Sequence, residues 1–309
     1  MWIFLNSVNL EAVEYKLSKS LTCLIMGCIY EKEGDFESAL KEYQKSIEFD
    51  PSSSVLHFKL ATVYIKKQDF PKAVEELKLV LKYDPKALES QYLLAIIYSL
   101  QNRSDLAVEA IENFLKTAIE LNPDYLQAYK ALALLYLEQR RFSEAEKICK
   151  DILSISADDR QVHIWLAHIY EKQSRIEEAI GEFKKLLELY PDDHQIMNAL
   201  GYLYVEEGIN LNEAEILIKK ALEFEPENGA YRDSLGWLYY RKDLIEEAIE
   251  ELEKAVLLLE DPVIYEHLGD AYYKKGLILK AKENWQKALE LDPKNIELNQ
   301  KIENIKFIP

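Results

Sequence analysis

A chain of 309 residues with 55 Asp and Glu against 38 Lys and Arg carries a net charge of −17, which excludes the dense cationic face that counterion release from a nucleic acid requires. The same charge favours basic partners over acidic ones, or serves only to keep the chain in solution. With 49 % hydrophobic and 30 % charged residues the chain can fold and is soluble, and nine glycines and nine prolines among abundant Leu, Glu, Lys and Ala point to helices. Three cysteines at irregular spacing make no disulfide framework: Cys23 and Cys28 fall on different faces of one helix, Cys149 takes a core position, and all three read as small buried hydrophobes. No apolar run reaches the length of a membrane-spanning helix.

The N-terminal MWIFL is short, has no preceding basic region and no small-residue cleavage site, so it is not a signal peptide. As written the chain is cytoplasmic; a leader missing from this start would make it periplasmic or envelope-associated. Over residues 1–19 a stripe of Leu10, Val13, Leu17 and Tyr15 predicts either a helix that covers the first repeat or the remnant of a degenerate one.

From residue 20 onward one pattern recurs. A leucine or methionine (Met26, Leu60, Leu94, Leu132, Leu166, Leu200, Leu235, Leu268) is followed by glycine or alanine, and three residues later by tyrosine: Tyr30, Tyr64, Tyr98, Tyr136, Tyr170, Tyr204, Tyr239 and Tyr272. Nine residues further on, or ten in the sixth copy, stands an alanine: Ala39, Ala73, Ala107, Ala145, Ala179, Ala214, Ala248 and Ala281. A period near 34 marks a stacked repeat with a shared core rather than separate globular domains. The units run 20–53, 54–87, 88–125, 126–159, 160–193, 194–228, 229–261 and 262–295, each with two apolar blocks at helical spacing around a short polar turn. Proline closes most second helices, at Pro51, Pro85, Pro123, Pro191, Pro226 and Pro293, with Ala157 in that place in the fourth unit and Pro262 closing the seventh late. Four extra residues in the third unit add about one turn to its second helix, and one extra in the sixth belongs in the turn Gly208 to Asn212, where it rotates no helix. Residues 296–309, with Ile296, Leu298, Ile302, Ile305 and Phe307, predict a C-terminal capping helix.

This pattern resembles the tetratricopeptide repeat family, and of its bacterial members the last hundred residues look most similar. Repeat positions seven (Leu), eight (Gly or Ala), eleven (Tyr) and twenty (Ala) match in every copy. Position twenty-four holds Tyr43, Leu77, Cys149, Phe183, Leu252 and Trp285 in the regular units. Position four is the weakest match to the family, with its large aromatic kept as Tyr129 and Tyr265 among Cys23, His57, Gln91, His163, Met197 and Arg232. The resemblance implies an all-α, right-handed superhelical solenoid of about eight antiparallel helix pairs plus terminal capping helices, with first helices lining a concave face.

In that family functional surface comes from first-helix positions two, five, nine and twelve. Here these are Tyr92 and Ile96; Gln127, Lys130 and Leu134; Gln161, Ile164, His168 and Glu171; Gln195, Asn198 and Tyr202; Asp233, Trp237 and Tyr240; and Glu266, Asp270 and Tyr273. Rings beside amides suit peptide capture, because rings give contact area at low entropic cost and amides pair with an extended backbone. The alternative is that Trp237 and Tyr240 pack between hairpins. Asp233, Glu266 and Asp270 read as a solvated patch that attracts a basic segment rather than as a metal or general-acid site. The family's two-carboxylate clamp is lacking, since Lys130 is followed by Leu134 where the clamp needs asparagine, and chaperone-tail binding is disfavoured. His163 and His168 fall on different faces of one helix and share no metal; His57 and His163 occupy core positions. No phosphate loop, nucleophile elbow, HExxH or paired CxxC occurs, so neither a catalytic residue nor a cofactor is expected.

The expected function is a non-catalytic scaffold that binds a peptide segment or partner protein, basic or apolar, along the concave face. The alternative is an accessory or regulatory subunit of a multiprotein enzyme or envelope-assembly complex. Oligomeric state is left open.

Overall fold

A computed structural model describes residues 2–303, with side chains from Val13 onward. The described residues form helices α1 (Trp2–Glu33), α2 (Phe36–Phe49), α3 (Ser54–Lys66), α4 (Phe70–Tyr83), α5 (Leu88–Leu100), α6 (Ser104–Leu121), α7 (Leu126–Glu138) and α8 (Phe142–Ile155). They continue with α9 (Arg160–Lys172), α10 (Ile176–Leu189), α11 (His194–Glu207), α12 (Leu211–Phe224), α13 (Gly229–Arg241), α14 (Ile245–Leu258), α15 (Pro262–Lys274), α16 (Ile278–Leu291) and α17 (Ile296–Glu303). The architecture is an all-α solenoid of antiparallel hairpins. They fall into two compact units, one ending at Ile155 and one starting at Ser156, each with four hairpins.

The repeated positions explain each hairpin. The small residue at position eight receives the large side chain at position twenty-four: a Cβ on Gly236 would lie 2.6 Å from Leu252 Cγ, and one on Gly201 2.7 Å from Ile218 Cγ1. The position-twenty alanines Ala39, Ala73, Ala145, Ala179, Ala214, Ala248 and Ala281 are fully buried where the paired helices approach closely. Six of the tyrosines are buried, led by Tyr204 at 0 % exposure. Tyr30 and Tyr239 keep part of their surface in water.

These tyrosines also close the turns. In all eight hairpins the tyrosine carbonyl accepts the N–H five residues on, from Asp35 onto Tyr30 to Leu277 onto Tyr272, at 2.8–3.0 Å. That closure forces the fourth residue after the tyrosine into the left-handed region. Glycine fills the place at Gly34, Gly208 and Gly276, and Gln68, Asn102, Arg140, Ser174 and Asp243 adopt φ between 55° and 63°. Ile209 N–H still bonds Tyr204 O, so the extra residue of the sixth unit enters after that bond, as left-handed Asn210 (φ 47°). Aspartates then cap the second or first helices: Asp35 accepts from Ser38 N–H, Asp69 from Lys72 and Asp193 from Ile196.

Position four, where the aromatic is lost, carries a polar device. His57 Nδ1 lies 2.6 Å from Glu76 Oε2, nineteen residues on in α4, and its Nε2 3.1 Å from the Pro51 carbonyl, six residues back. His163 repeats this with Glu182 (2.5 Å) and the Ala157 carbonyl (3.0 Å). Arg232 does so with Glu251 (2.8 Å) and the Pro226 carbonyl (2.7 Å). Gln91 donates to the Pro85 carbonyl and to Thr117 Oγ1 in the longer α6. Each side chain ties the loop before the first helix to the second helix behind it, so polar groups pair where an apolar ring would pack, although Gln91 Oε1 stays buried without a hydrogen bond.

The N-terminal end differs from expectation. Residues 2–19 do not form a separate covering helix; they are the leading half of α1, and Val13, Tyr15 and Leu17 stay more than 60 % exposed. The side chain of Leu10 lies outside the described residues. At the other end α17 seats Leu298, 1 % exposed, against the core of α14, α15 and α16, with Ile302 beside it. Ile305 and Phe307 lie outside the described residues. Cys149 is buried, whereas Cys23 and Cys28 are half-buried and free, because α2 covers only one side of α1.

Candidate functional site

First-helix residues at positions two, five, nine and twelve reach two surfaces of different chemistry, one in each unit. In the first, Tyr92, Ile96 and Leu134 line an apolar hollow with Leu100, Phe114 and Leu135. Tyr92 is 54 % exposed and stands 5.8 Å from the Phe114 ring. Gln127 is exposed outside this hollow and Lys130 is half-buried.

In the second unit the first helix α13 touches both α11 and α15, and the side chains of the three form a row. Trp237 is its centre. Its ring is stacked with Tyr240, one turn on in α13, at 4.5 Å and 7°, and with His267 of α15 at 4.1 Å and 10°. Its indole N–H donates to Glu206 Oε1 of α11 at 2.6 Å. His267 Nδ1 in turn pairs with Asp233 Oδ1 at 2.9 Å, both groups being buried. Stacked rings contribute about 0.5–1.5 kcal/mol beyond their buried area, so the row is preorganised.

Asp233 therefore does not lie open in the groove, as its position in the repeat suggests; it is 6 % exposed and pairs with the buried His267. The patch expected from Asp233, Glu266 and Asp270 is likewise divided. Glu266 and Asp270 hold Lys301 of α17 at 2.7 and 3.0 Å, and Asp270 also accepts the Trp285 indole N–H at 2.9 Å. Burial works against the charge of Lys301, but the two carboxylates outweigh it and raise its pKa.

Toward α9 the row continues through Tyr202. Burial pushes the Tyr202 phenol well above its usual range, and the nearby Glu206, Asp233 and Glu171 add to the shift. Burial also raises the carboxyl of Glu171, whereas partial burial and Lys172 lower the imidazole of His168. Asn198 lines a small recess with Tyr202 and Asp233. Gln195 stands apart, accepting from Arg160, which forks onto Asp193 at 2.6 and 3.2 Å. Gln161 and Tyr273 are exposed, Tyr273 by 50 %.

Reading first-helix positions separately misses His267, Glu206, Trp285 and Lys301. One signal for His267 was present: it directly follows Glu266, which holds in the eighth repeat the place Asp233 holds in the seventh, and such positions in adjacent repeats are spatial neighbours. Among the described residues no group of three or more His, Cys, Asp or Glu side chains could hold a metal ion, and no helix is long and apolar enough to cross a membrane.

Sequence models described as tetratricopeptide repeat match residues 31–97 and 107–169, 161–193 and 262–295, and 231–258. Among curated proteins none matches the chain. Of solved structures, the APC/C hetero-tetramer Cut9–Hcn1 is similar over 94 % of this chain at 16 % identity and a TM-score of 0.54, and the match spans 55 % of that chain. MamA from Desulfovibrio magneticus RS-1 is 20 % identical over 55 % of this chain and 97 % of its own, with a TM-score of 0.47. A tetratricopeptide repeat protein from Parabacteroides merdae is 19 % identical over 84 % of this chain and 99 % of its own, with a TM-score of 0.43. With the repeat positions, the hairpins and the sequence models in agreement over most of its length, the chain belongs to the tetratricopeptide repeat family.

Proposed function

We propose that the chain is a non-catalytic scaffold that binds a basic segment of a partner protein along the first-helix face of the second unit. The observation that carries this reading is the row Tyr202, Trp237, Tyr240 and Tyr273, rings set among the carboxylates Glu171, Glu206 and Asp270. Such a row offers large rigid contact area and a negative field to a cationic chain. The reading without catalysis is supported by how the titratable groups are used: Asp233 is paired with His267, Glu206 with Trp237, and Glu266 and Asp270 with Lys301.

The test is a comparison of proteins captured from the native host by the wild-type chain and by the double variant Asn198→Ala/Tyr202→Ala. The expected result is loss of one specific captured protein with an unchanged helical signal by circular dichroism. Capture that persists in the double variant overturns the placement of the binding face.

A further inference from the structure

At the C-terminal end of the same face lies a hollow of about 520 Å³ whose walls are the rings of Tyr240, Tyr273 and Trp285 and whose polar groups are Asp270, Glu297, Gln300 and Lys301. We infer that this hollow is an arginine pocket, which takes one guanidinium group from the partner segment; the inference rests on the proposed binding face and names what its end recognises.

Three features point there. The walls already hold cations from the chain itself: Lys274 Nζ lies 4.7 Å from the Tyr240 ring centroid and Lys301 Nζ 5.9 Å from that of Trp285. The third ring, Tyr273, is tilted 40° against Trp285 at 5.4 Å and half exposed, so it presents surface to the hollow. The local charge is also out of balance. Glu266, Asp270 and Glu297 surround the single Lys301, while Lys274 is drawn to Asp243 at 2.6 Å. One added cation offsets this excess in part, and with Lys301 held by Glu266 and Asp270, Glu297 in the first turn of α17 is the carboxylate placed to receive it.

A guanidinium fits this combination better than an ammonium. It is planar, it stacks on a ring face, and its edge offers two parallel N–H groups to one carboxylate. Stacked on Tyr273, it can turn that edge toward Glu297. Leu298, buried on the same turn, holds the start of α17 in place.

The test uses the full chain and a fluorescein-labelled Gly/Ser nonapeptide with one central arginine, with citrulline, lysine and leucine versions, read by anisotropy at low ionic strength. Citrulline keeps the shape and removes the charge. The arginine peptide is expected to bind about tenfold tighter than the citrulline peptide and several-fold tighter than the lysine peptide. Tyr273→Ala and Glu297→Gln should each remove most of that preference; Tyr273→Phe should keep it, and Tyr92→Ala in the other unit should leave it unchanged. Both altered side chains are exposed, and a circular-dichroism melt confirms that the variants fold. Equal binding of the arginine and citrulline peptides, or of the arginine and lysine peptides, or an arginine preference that survives both Tyr273→Ala and Glu297→Gln, overturns the pocket. Failure of the pocket alone leaves partner capture sensitive to Asn198→Ala/Tyr202→Ala; failure of the binding face leaves capture insensitive to that double variant, whatever the arginine peptide does.

Discussion

His267 is held between opposing influences. Burial alone would lower its pKa, but Asp233, with Glu206 and Asp270 further off, outweighs burial and raises it above the ordinary 6.5. A histidine whose folded-state pKa is raised contributes stability that is fully present below the unfolded-state value and lost as pH rises through the folded one. His267→Asn should therefore cost on the order of 3 kcal/mol at pH 6, where a buried carboxylate is left without its counter-ion. The gap between wild type and variant should narrow by pH 9, as measured by urea midpoints at both values. A gap that widens with pH would show that His267 is neutral in the fold. The repeat positions placed Tyr202, Trp237, Tyr240 and Tyr273 on the first-helix face; Tyr273 is half exposed, whereas Tyr202 is half-buried and Trp237 packs between Tyr240 and His267 of the next hairpin. Their partners were not legible, because Glu206, His267, Trp285 and Lys301 reach them from a neighbouring helix, and which helix faces which is a property of the stack.

At the scale of the helix and the turn, the core was readable and the turn chemistry only in part. Leucine, the small residue, tyrosine and alanine recur because every hairpin repeats the same packing. The left-handed residue that closes each turn is announced by glycine in three hairpins and hidden under Gln68, Asn102, Arg140, Ser174 and Asp243 in the others. Gly276 has open space around the missing Cβ, so Gly276→Ala should cost about 1 kcal/mol from backbone strain alone. Ser174→Gly, which relieves the same strain, should raise the melting midpoint; a fall there would place the control in the serine side chain. The extra residue of the sixth unit was assigned to its turn correctly, since a helix cannot absorb one residue without turning its apolar face by about 100°. Position four was visible as a departure from the aromatic, but its purpose was not. Glu182→Ala should destabilise by about 1–3 kcal/mol by leaving His163 buried without its carboxylate. The double change His163→Phe/Glu182→Leu should recover most of that loss, which a double-mutant cycle in urea will measure.

At the scale of the molecule, a single run of eight units was the expectation, and the hairpins gather into two compact units. Stability in such an array is the sum of local terms between neighbours. Of the four tryptophans, Trp165, Trp237 and Trp285 lie in the second unit, so tryptophan emission reports mainly on it, while circular dichroism reports on every helix. Tyr204→Ala, which empties a fully buried ring site in the second unit, should cost about 3–5 kcal/mol locally. Its urea midpoint should fall further by emission than by circular dichroism; equal shifts would show that the two units unfold as one.

The ties at position four carry a consequence for how such a chain can change. His57 with Glu76, His163 with Glu182 and Arg232 with Glu251 each join the two helices of one hairpin and the loop that precedes it. Neither member can be replaced alone without stranding the other, yet all the groups involved lie within one period. A whole hairpin with its leading loop can therefore be exchanged as a cassette, whereas a helix exchanged by itself carries half of a bond.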